Sequence, residues 1–523
     1  MTLLDSKNIS LELKLINSIK KNLLKNQNKS LNTNAASKSD FGRILSIKDS
    51  VVIIEGLTGV KSNELLEFDF AEKKGELNLM GVALNLEYNV VKALTFGNEK
   101  LLKAGIKVKR TFRVVSVPVS AKMLGRVIDP LGRPLDGKGS SFLDKNTLMR
   151  NIEIKAPGVI QRKRVTESLE TGIKMVDSLV PIGRGQRELI IGDKKTGKTT
   201  IAIDTILHQK NTKHPVICVY VSIGKRMAEI ARLVRLLNSS GAMPYSIVVA
   251  SRASDPASLQ YIAPYSGCTI AEYFRDNGQA SLIVYDDLSR HADIYRQIAL
   301  LLRRPVGREA YPGDVFYLHS RLLERGSKLA DSLGGGSLTA LPIIETLQGD
   351  VSAYIPTNVI SITDGQIYLD AAKHQEGFRP AVDPGISVSR IGSAAQSKGM
   401  KAMAGSLKLK LAQYREVEEF SKFGSDLDPV TKRTLEDGAK LTELLKQGKN
   451  TPIDVALQIV LLYASINGSL DKISLDKISS YEKELFKFLR NDPLFKPYKY
   501  LISDNVDRQV LDLILKHFGS TFK

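Results

Sequence analysis

The sequence predicts a multidomain α/β protein with a small β-barrel or sandwich first, an α/β domain with a mostly parallel sheet next, and a helical domain last. Three observations predict this order. Short apolar runs separated by turn residues come first, alternating strand and helix patterns follow, and a helical period dominates after Gln396. A chain of 523 residues is long enough for several domains. We expect them at residues 41–113, 114–394 and 395–523, after an N-terminal segment of residues 1–40.

The N-terminal segment predicts one amphipathic helix and a tether. Its apolar residues recur every three or four positions, as on one helix face: Ile9, Leu13, Ile16, Ile19 and Leu23. The Asn/Ser/Lys-rich stretch 26–39 that follows is typical of a linker. We interpret the helix as a docking element for a partner, with packing on its own domain as the alternative. Asp5, Glu12 and the lack of arginine argue against a cleaved mitochondrial transit peptide.

The barrel or sandwich is predicted from short β-type runs that begin after Phe41. The runs are Ile44–Ile47, Val51–Ile54 and Val114–Val119. Glycine- and aspartate-containing turns separate them, as in a small all-β domain that continues to about residue 113.

The last domain is predicted to be helical and to pack through an apolar stripe. The stripe has helical spacing and favours core packing over a cofactor site: Leu407, Leu411, Tyr414, Val417 and Phe420. The apolar run Val455–Ile466 is shorter than the ~18 residues that span a membrane and is interrupted by Gln458. We therefore expect any membrane association to be through partners.

A complete phosphate-loop motif follows the strand signal Leu189–Ile191. The pattern G-x-x-x-x-G-K-[ST] and the next residue provide the candidate nucleotide ligands: Gly192, Asp193, Lys194, Lys195, Thr196, Gly197, Lys198, Thr199 and Thr200. Glycines let backbone N–H groups turn towards phosphate oxygens, and the positive end of the following helix points at them. The motif's lysine, Lys198, reaches the β- and γ-phosphates, and the Thr199 hydroxyl binds Mg²⁺. The sequence therefore predicts a site for ATP or ADP with Mg²⁺.

A second magnesium ligand is predicted at the end of another apolar strand, Leu282–Tyr285. Asp286 follows this strand directly. A P-loop domain requires such a carboxylate to hold the metal ion. We therefore predict Thr199 and Asp286 as the metal ligands, with Asp287 as a loop or supporting carboxylate.

Composition narrows the range of partners. The formal net charge is +19, but the excess of lysine and arginine is spread along the chain, whereas a nucleic-acid footprint is concentrated. Cys218 and Cys268 form no C-x-x-C pair, and the histidines lack metal-ligand spacing. We therefore expect no nucleic-acid partner, no disulfide scaffold and no structural metal site.

Several further segments carry a family resemblance. They are Pro181–Arg187, Glu272–Asp276, Tyr285–Ser289, Leu302–Pro305, Gly307–Asp314 and Ser387–Gln396. Together with the phosphate loop, they resemble the alpha-subunit family of F-type ATP synthases. The resemblance runs almost continuously from about Gly42 to the Leu441–Gly448 region.

The resemblance implies a β-barrel crown, a RecA-like P-loop domain and a C-terminal helical domain. It implies a hexamer in which this chain alternates with catalytic beta subunits around a gamma-type central stalk. Arg390 would then reach into the beta subunit's active site, as the single predicted catalytic residue. The residues implied near the adenine are Arg379, Pro380, Gln447 and Lys449. The loop Pro305–Asp314 would surround the rotating shaft, and the N-terminal helix would contact a peripheral-stalk subunit.

Three lysines depart from the family pattern, which usually has glutamine at these positions. They are Lys195, Lys225 and Lys449. The first two are expected to add positive charge close to the phosphates, and the third weakens the implied adenine contact. The shaft loop also has Val306 where the family tends to have proline.

One position separates a binding subunit from a catalytic one. In the catalytic relatives a Gly-Glu-Arg sequence follows the strand after the P-loop helix, and its glutamate polarises the attacking water. Here the strand Ile217–Val221 leads to Lys225, which has no lone pair to accept a proton while it is protonated. The chain is therefore predicted not to hydrolyse ATP efficiently by itself, although Glu229 is a possible substitute.

A catalytic ring ATPase and a hexameric RNA translocase are the alternative functions. A translocase needs aromatic residues among basic ones on its barrel, so that bases can stack. The aromatic residues here have acidic neighbours or stand apart: Phe68 and Phe70 lie among Glu64, Glu67, Asp69 and Glu72, and Phe96 follows later. We therefore favour the binding subunit.

Location is inferred from resemblance alone. Phe96–Asn98 and Phe274–Gly278 resemble mitochondrial and related bacterial members, and the start is rich in lysine and asparagine. We expect a peripheral protein on the matrix side of the inner mitochondrial membrane, in proton-driven ATP synthesis. The cytoplasmic side of a bacterial plasma membrane is the alternative.

Overall fold

The computed structural model describes most of the chain after Ser39. The described segments are residues 40–69, 79–97, 99–140, 142–144, 147–212, 214–421, 428–471, 473–493, 495–499, 501–502 and 507–521. The predicted N-terminal helix and tether lie outside them. The chain divides into two compact units, one before residue 114 and one mainly after it. The boundary predicted at 394/395 falls inside the second unit and stays a prediction.

The first unit contains a closed barrel, which decides between the barrel and sandwich alternatives. Its strands are β1 (Phe41–Lys48), β2 (Val51–Gly56), β3 (Glu64–Phe68), β4 (Met80–Leu86), β5 (Val90–Thr95) and β6 (Lys107–Val114). They neighbour one another in the order β1-β2-β5-β4-β3-β6. Successive side chains of a strand point to opposite faces, and the inward ones fill the barrel: Ile44, Val52, Ile54, Leu66, Ala93 and Val108.

Glu64 is a buried residue of this barrel and not a surface acid. Arg110 donates two hydrogen bonds to it, Nε to Oε1 at 2.9 Å and Nη2 to Oε2 at 3.0 Å. Burial alone would raise the pKa of Glu64, but the bonds from Arg110 and from backbone N–H groups lower it below its ordinary value. Phe68 and Phe96 are buried as well. The sequence argument against base stacking therefore needs a different reason. Phe68 and Phe96 cannot stack with bases because they are buried, and Glu64 is paired with Arg110 instead of lying at the surface.

The second unit is built on an eight-stranded sheet. The remaining strands are β7 (Ser116–Val119), β8 (Val127–Ile128), β9 (Leu148–Asn151), β10 (Ser168–Leu169), β11 (Ile182–Gly183), β12 (Leu189–Asp193), β13 (Ile217–Lys225), β14 (Ser246–Arg252), β15 (Ala280–Asp286), β16 (Ser337–Thr346), β17 (Gly365–Leu369) and β18 (Val388–Ser389). The sheet order is β18-β17-β12-β16-β15-β13-β14-β8. All pairs are parallel except β17 with β18. The predicted, mostly parallel sheet is confirmed.

The run predicted as Val114–Val119 is two strands. Val114 ends β6 in the barrel, whereas β7 pairs with β9 in a separate two-stranded sheet. A short valine-rich run in sequence does not show that the chain leaves one sheet and enters another within it.

Helices surround the sheet and form the C-terminal part of the second unit. They are α1 (Lys174–Leu179), α2 (Lys198–His208), α3 (Met227–Ser239), α4 (Ala257–Asp276), α5 (Leu288–Leu301), α6 (Val315–Leu323), α7 (Tyr354–Ile362), α8 (Ala371–Gln375), α9 (Gly392–Ala395), α10 (Lys398–Ser421), α11 (Pro429–Leu445), α12 (Val455–Ile466), α13 (Ile478–Asn491), α14 (Phe495–Tyr498) and α15 (Arg508–Thr521). The predicted stripe lies on α10, where Leu407 and Leu411 are buried in the core. Among the described residues, no helix is long and apolar enough to cross a membrane.

Candidate nucleotide-binding site

The phosphate loop connects the carboxyl end of β12 to the start of α2. Gly192 and Gly197 have φ angles of 157° and 103°, which favour glycine. A Cβ on Gly192 would lie 2.5 Å from the carbonyl oxygen of Leu369, so that a side chain cannot fit there. The first N–H groups of α2 have no acceptor within the helix and carry its positive end. The loop therefore has the geometry of an anion site.

Members of the motif have different roles in this loop. The Asp193 carboxylate accepts from the Thr346 hydroxyl at 2.6 Å and from the Gly349 N–H at 2.9 Å. The Thr196 hydroxyl donates to the Asp193 carbonyl at 2.8 Å. These two side chains brace the turn, whereas Lys194 is exposed. Direct contact of Asp193 or Thr196 with a nucleotide stays a prediction.

Lys198 is buried beneath the loop. Its Nζ donates to the carbonyl oxygens of Gly192 at 2.9 Å and Asp193 at 2.5 Å. Burial lowers the pKa of Lys198 below its ordinary value, and the carboxylates of Glu345, Asp287 and Asp286 oppose this effect only in part. The ammonium thus lies inside the turn that phosphates would occupy.

The structure brings the two predicted metal ligands together. The Thr199 hydroxyl donates to Asp286 Oδ2 at 3.1 Å, across two elements far apart in sequence. Asp286 ends β15 and is buried, and the Tyr220 hydroxyl donates to the same oxygen. A hydroxyl and a carboxylate are oxygen ligands that suit Mg²⁺. The donor set therefore fits the metal.

Lys225 forms an ion pair with the same acidic group. Its Nζ lies 2.8 Å from Asp286 Oδ1 and 3.1 Å from Asp287 Oδ2. Burial alone would lower the pKa of Lys225, but the two carboxylates raise it above its ordinary value. The lysine is therefore held as a cation. Glu229, the possible substitute carboxylate, is exposed on α3.

Asp287 caps a helix as well as pairing with Lys225. Its Oδ1 accepts from the Arg290 N–H at 2.6 Å, which places it at the N-cap of α5. Burial raises the pKa of Asp287 to about 6, although Lys225 opposes the shift. Its role is thus structural support behind Asp286, as the sequence predicts.

Glu345 is a carboxylate of the phosphate end that the sequence reasoning missed. It lies near the end of β16, and its Oε2 is 3.8 Å from the exposed Lys194 ammonium. The signal that identified Asp286, an acid after an apolar strand, is also present in Ile343-Ile344-Glu345.

A cavity of about 470 Å³ extends from the phosphate loop to two distant loops. Its lining joins the predicted phosphate and adenine segments with further residues: Ile173, Lys195, Thr196, Gly197, Thr200, Ile201, Asp204, His374, Arg379, Pro380, Ala381, Gln447, Gly448 and Lys449. The volume suits a small ligand bound against the loop. All four residues that the resemblance placed near the adenine therefore line one cavity.

Both polar atoms of the Gln447 side-chain amide form hydrogen bonds in the cavity wall. Its Nε2 donates to the carbonyl oxygens of Gly172 and Thr451, both at 2.8 Å. Its Oε1 accepts from the Lys174 N–H at 3.0 Å, and its backbone N–H donates to the Arg379 carbonyl at 2.8 Å. Gln447 thus fixes the two base-side loops to each other. Its direct contact with a base stays a prediction.

Asp204 is a buried acid in the cavity wall that sequence reasoning also missed. It lies on α2, and its Oδ1 accepts from the Asn450 N–H at 2.8 Å. Burial raises the pKa of Asp204 to about 7, although the bond from Asn450 opposes the shift. A single acid on a helix of mixed polar and apolar residues carries no sequence signal, because only packing decides which way it faces.

Two family sequence models match the chain across this region. One, described as the nucleotide-binding domain of the ATP synthase alpha/beta family, matches residues 172–389. The other, described as the C terminal domain of the ATP synthase alpha/beta chain, matches residues 396–510. The chain belongs to the ATP synthase alpha/beta family.

The first match places the phosphate loop in a nucleotide-binding domain, and the cavity is lined by residues of both matches. The first match contains the phosphate loop and Asp286, and the second contains Gln447 and Lys449. The nucleotide-binding domain of the family supports ATP or ADP as the ligand of this chain. Alpha and beta chains of this family form a hexameric head, so this chain is a subunit of such a head.

Arg390 lies at the opposite edge of the sheet from β8, directly after β18. Its backbone N–H donates to the Asp364 carbonyl at 2.9 Å, and its Nη1 donates to the Thr363 carbonyl at 3.3 Å. The residue is exposed, and no carboxylate in the described part of the chain forms an ion pair with it. The guanidinium is thus available to a ligand outside the chain. Its catalytic role stays a prediction.

Proposed function

We propose that this chain is the alpha, non-catalytic member of the ATP synthase head. The observation that carries the proposal is the Lys225 ion pair, which puts a cation at the end of β13, where the catalytic relatives are expected to have glutamate. An ammonium held by Asp286 and Asp287 cannot accept a proton from water. The site is therefore suited to hold a nucleotide without cleaving it.

Nucleotide binding would use the phosphate loop at one end and the cavity at the other. Lys198 and the N–H groups at the start of α2 would bind phosphate oxygens, and Thr199 with Asp286 would hold Mg²⁺. When bound, the metal ion supplies charge neutralisation for the phosphates. The cavity lined by Arg379, Pro380 and Lys449 would enclose the base.

Arg390 would act on a neighbouring beta subunit. Phosphoryl transfer places charge on the oxygens of the transferred group, and a guanidinium can stabilise it through two hydrogen bonds. Arg390 is exposed, and its side chain makes one weak hydrogen bond within the described part of the chain, which supports such a role. The chain would thus contribute to ATP synthesis without performing the reaction at its own loop.

The remaining partners and the location are proposed from family resemblance. The Pro305–Asp314 loop would face a gamma-type central stalk, and the N-terminal helix would bind a peripheral-stalk subunit. The complex would carry the chain on the matrix side of the inner mitochondrial membrane, or on the cytoplasmic side of a bacterial plasma membrane. There it would take part in proton-driven ATP synthesis.

Hydrolysis by the purified full chain tests this proposal. We expect ATP to bind in a calorimetric titration, while phosphate release stays at the background rate. The Lys198→Ala variant is the reference for background, because it lacks the ammonium inside the loop.

Steady turnover that disappears in Lys198→Ala would contradict the non-catalytic assignment. In that event the Glu345→Gln and Glu229→Gln variants would identify the carboxylate that replaces the missing base. A chain that binds no ATP at all would contradict the whole proposal.

A further inference from the structure

Val159 and Ile160 are apolar side chains that the described part of the chain leaves almost entirely in solvent. They are 91% and 95% exposed and stand next to each other on the short turn Val159–Gln161. Apolar residues scattered singly over a surface are normal, but these two form one apolar tip that gains no burial from the described fold. The tip is therefore available to a partner.

Hydrogen bonds on both sides hold the apolar tip in place. The Gly158 N–H donates to Gln161 Oε1 at 2.9 Å, and the Gln161 carbonyl accepts from the Ala330 N–H at 2.9 Å. Arg162 Nη2 donates to the Glu324 carbonyl at 2.8 Å and to Glu324 Oε2 at 3.0 Å. A surface that is already ordered loses little conformational entropy on binding, so the tip is suited to docking.

The apolar tip lies at the amino edge of the eight-stranded sheet, where the parallel strands begin. Arg162 directly follows the turn and forms a β-bridge with Leu329. The residue before Leu329, Lys328, forms a bridge with Ser337, which is the first residue of β16. The phosphate loop follows β12, a parallel neighbour of β16, and so lies at the opposite, carboxyl edge.

Arg390 lies at the amino edge as well. Ser389, the residue before it, is opposite Gly365, which is the first residue of β17. Because β18 runs antiparallel to β17, the chain leaves β18 where β17 begins. The amino edge thus presents both the apolar tip and the exposed Arg390, while the carboxyl edge presents the phosphate loop.

Ion pairs connect the apolar tip to the Arg390 backbone. Glu324 Oε2 lies 3.0 Å from Arg162 Nη2, and Glu324 Oε1 lies 2.6 Å from Arg187 Nη1. Arg187 Nη2 also lies 2.8 Å from Asp364 Oδ1, and the Asp364 carbonyl accepts from the Arg390 N–H at 2.9 Å. The tip and Arg390 therefore belong to one connected part of the amino edge.

We propose that the apolar tip docks on the beta subunit that receives Arg390, where apolar side chains of that subunit bury it. This inference rests on the proposed function, because Arg390 must point at the neighbour whose site it enters. A subunit of a closed ring contacts its two neighbours through different faces, and the amino edge is then the face towards that beta subunit. Burial of the tip supplies affinity, whereas Arg390 supplies charge to the reaction.

The test is assembly of the full chain with beta subunits, measured by sedimentation over a range of concentrations. In Val159→Ser with Ile160→Ser, the concentration needed for half assembly should rise by about 100-fold, because the interface loses two buried aliphatic side chains. Val159→Ile with Ile160→Val should assemble as the natural chain does. Val430→Ser with Leu513→Ser is the matched control, since it removes two exposed apolar side chains from α11 and α15.

Turnover separates docking from chemistry. Once the serine variant of the tip is concentrated enough to assemble, its hexamers should turn over ATP at a near-natural rate, because Arg390 is intact. Arg390→Ala should show the reverse, with normal assembly and low turnover. The isolated serine variant should keep the melting temperature and the ATP affinity of the natural chain, because the tip is exposed and does not line the cavity.

The outcomes separate this inference from the proposed function. Half assembly of the serine variant at the natural concentration would overturn the docking role. A lower melting temperature of the isolated variant would show that another segment of this chain covers the tip, and loss of self-association alone would show that a second copy does; either result would overturn it too. Failure of the natural chain to assemble with beta subunits would instead remove the proposed function.

Discussion

The two ends of the nucleotide site are built in different ways. The phosphate end consists of one continuous turn between β12 and α2, closed by short-range bonds such as those of Lys198. The base end joins α2 to two loops that lie far apart in sequence. The Gln447 backbone N–H bonds the Arg379 loop, and its side-chain amide bonds the Gly172–Lys174 segment. Phosphate binding is thus a local property of the chain, whereas the shape of the base end depends on tertiary packing.

The two ends also differ in charge. Acids and lysines are paired at the phosphate end, where Lys225 bridges Asp286 and Asp287. The base end contains the isolated acid Asp204, which has a backbone N–H as its partner. The acids at the phosphate end are therefore compensated by lysines inside the chain, whereas at the base end burial keeps Asp204 protonated up to about pH 7.

The largest effect is expected at Arg390, which belongs to neither end. Replacing it by alanine should lower ATP turnover of reconstituted hexamers by about 10³-fold or more, because a guanidinium at the transferred phosphate is worth ~10³–10⁵ in rate. Lysine should rescue little, since it lacks the planar fork. Turnover is measured on hexamers whose assembly is verified by sedimentation.

ATP binding to this chain's own site should not change in Arg390→Ala, because Arg390 does not line the cavity. Near-normal turnover of intact Arg390→Ala hexamers would contradict the catalytic role proposed for Arg390.

Asp204→Asn should change the pH dependence of stability. The folded pKa is about 7 and the unfolded value about 3.8, so between these pH values the unfolded chain has lost a proton that the folded chain keeps. The free energy of unfolding therefore falls as the pH rises through this window and is level above it. Above pH 7 the variant should be the more stable by up to about 4 kcal/mol, and near pH 4 the two should be equal.

Melting temperatures from scanning calorimetry between pH 4 and pH 8 measure this difference. Asp331→Asn is the control, because Asp331 is exposed and pairs with Lys163 at the surface. A difference between Asp204→Asn and the natural chain that is independent of pH would mean that Asp204 is ionised in the folded state, and the contrast in charge between the two ends would be lost.

Lys198→Ala should weaken the binding of ATP, which has phosphates, but not the binding of adenosine, which has none. ATP affinity should fall by about 100-fold, since truncating a buried charged partner of a phosphate costs ~2–5 kcal/mol. Adenosine, which has no phosphate, should bind with the same affinity as before. Both ligands are titrated calorimetrically, with Lys122→Ala as the control because Lys122 pairs with Asp144 at an exposed position.

An equal loss of ATP and adenosine affinity would show that Lys198 supports the whole site and not only its phosphate end. The comparison between a local and a tertiary end would then need revision.

Gln447→Ala should give the smallest effect, at the base end. It leaves the Gly172 and Thr451 carbonyls and the Lys174 N–H without their side-chain partners, so the Gln447 loop can separate from the Gly172–Lys174 segment. We expect adenosine and ATP affinity to fall together by about tenfold, the equivalent of one or two hydrogen bonds.

Gln366→Ala is the matched control for this experiment. Its amide also holds a backbone carbonyl, that of Ile386, but it does not line the cavity. Loss of ATP affinity with adenosine affinity unchanged would contradict the assignment of Gln447 to the base end.

The order of the fold and the phosphate end of the site could be predicted from the sequence alone. A barrel, a parallel sheet and a helical region follow from the period of apolar residues, and Gly192 to Thr200 form one contiguous motif. Asp286 was identified because an acid after a buried strand must lie at the carboxyl edge of the sheet. These features are local, and each is encoded in a few neighbouring residues.

Tertiary structure decided the partners of the charged groups. The Glu64 pair with Arg110, the Lys225 pair with Asp286, and the position of Asp204 all depend on side chains that packing brings within about 3 Å. The energy of a charge depends on its burial and on its nearest opposite charge, and neither is a property of neighbouring residues in the chain. The sequence alone therefore predicted the position of the phosphate loop. Only the folded chain decided which charged side chains are paired with one another and which can contact a ligand.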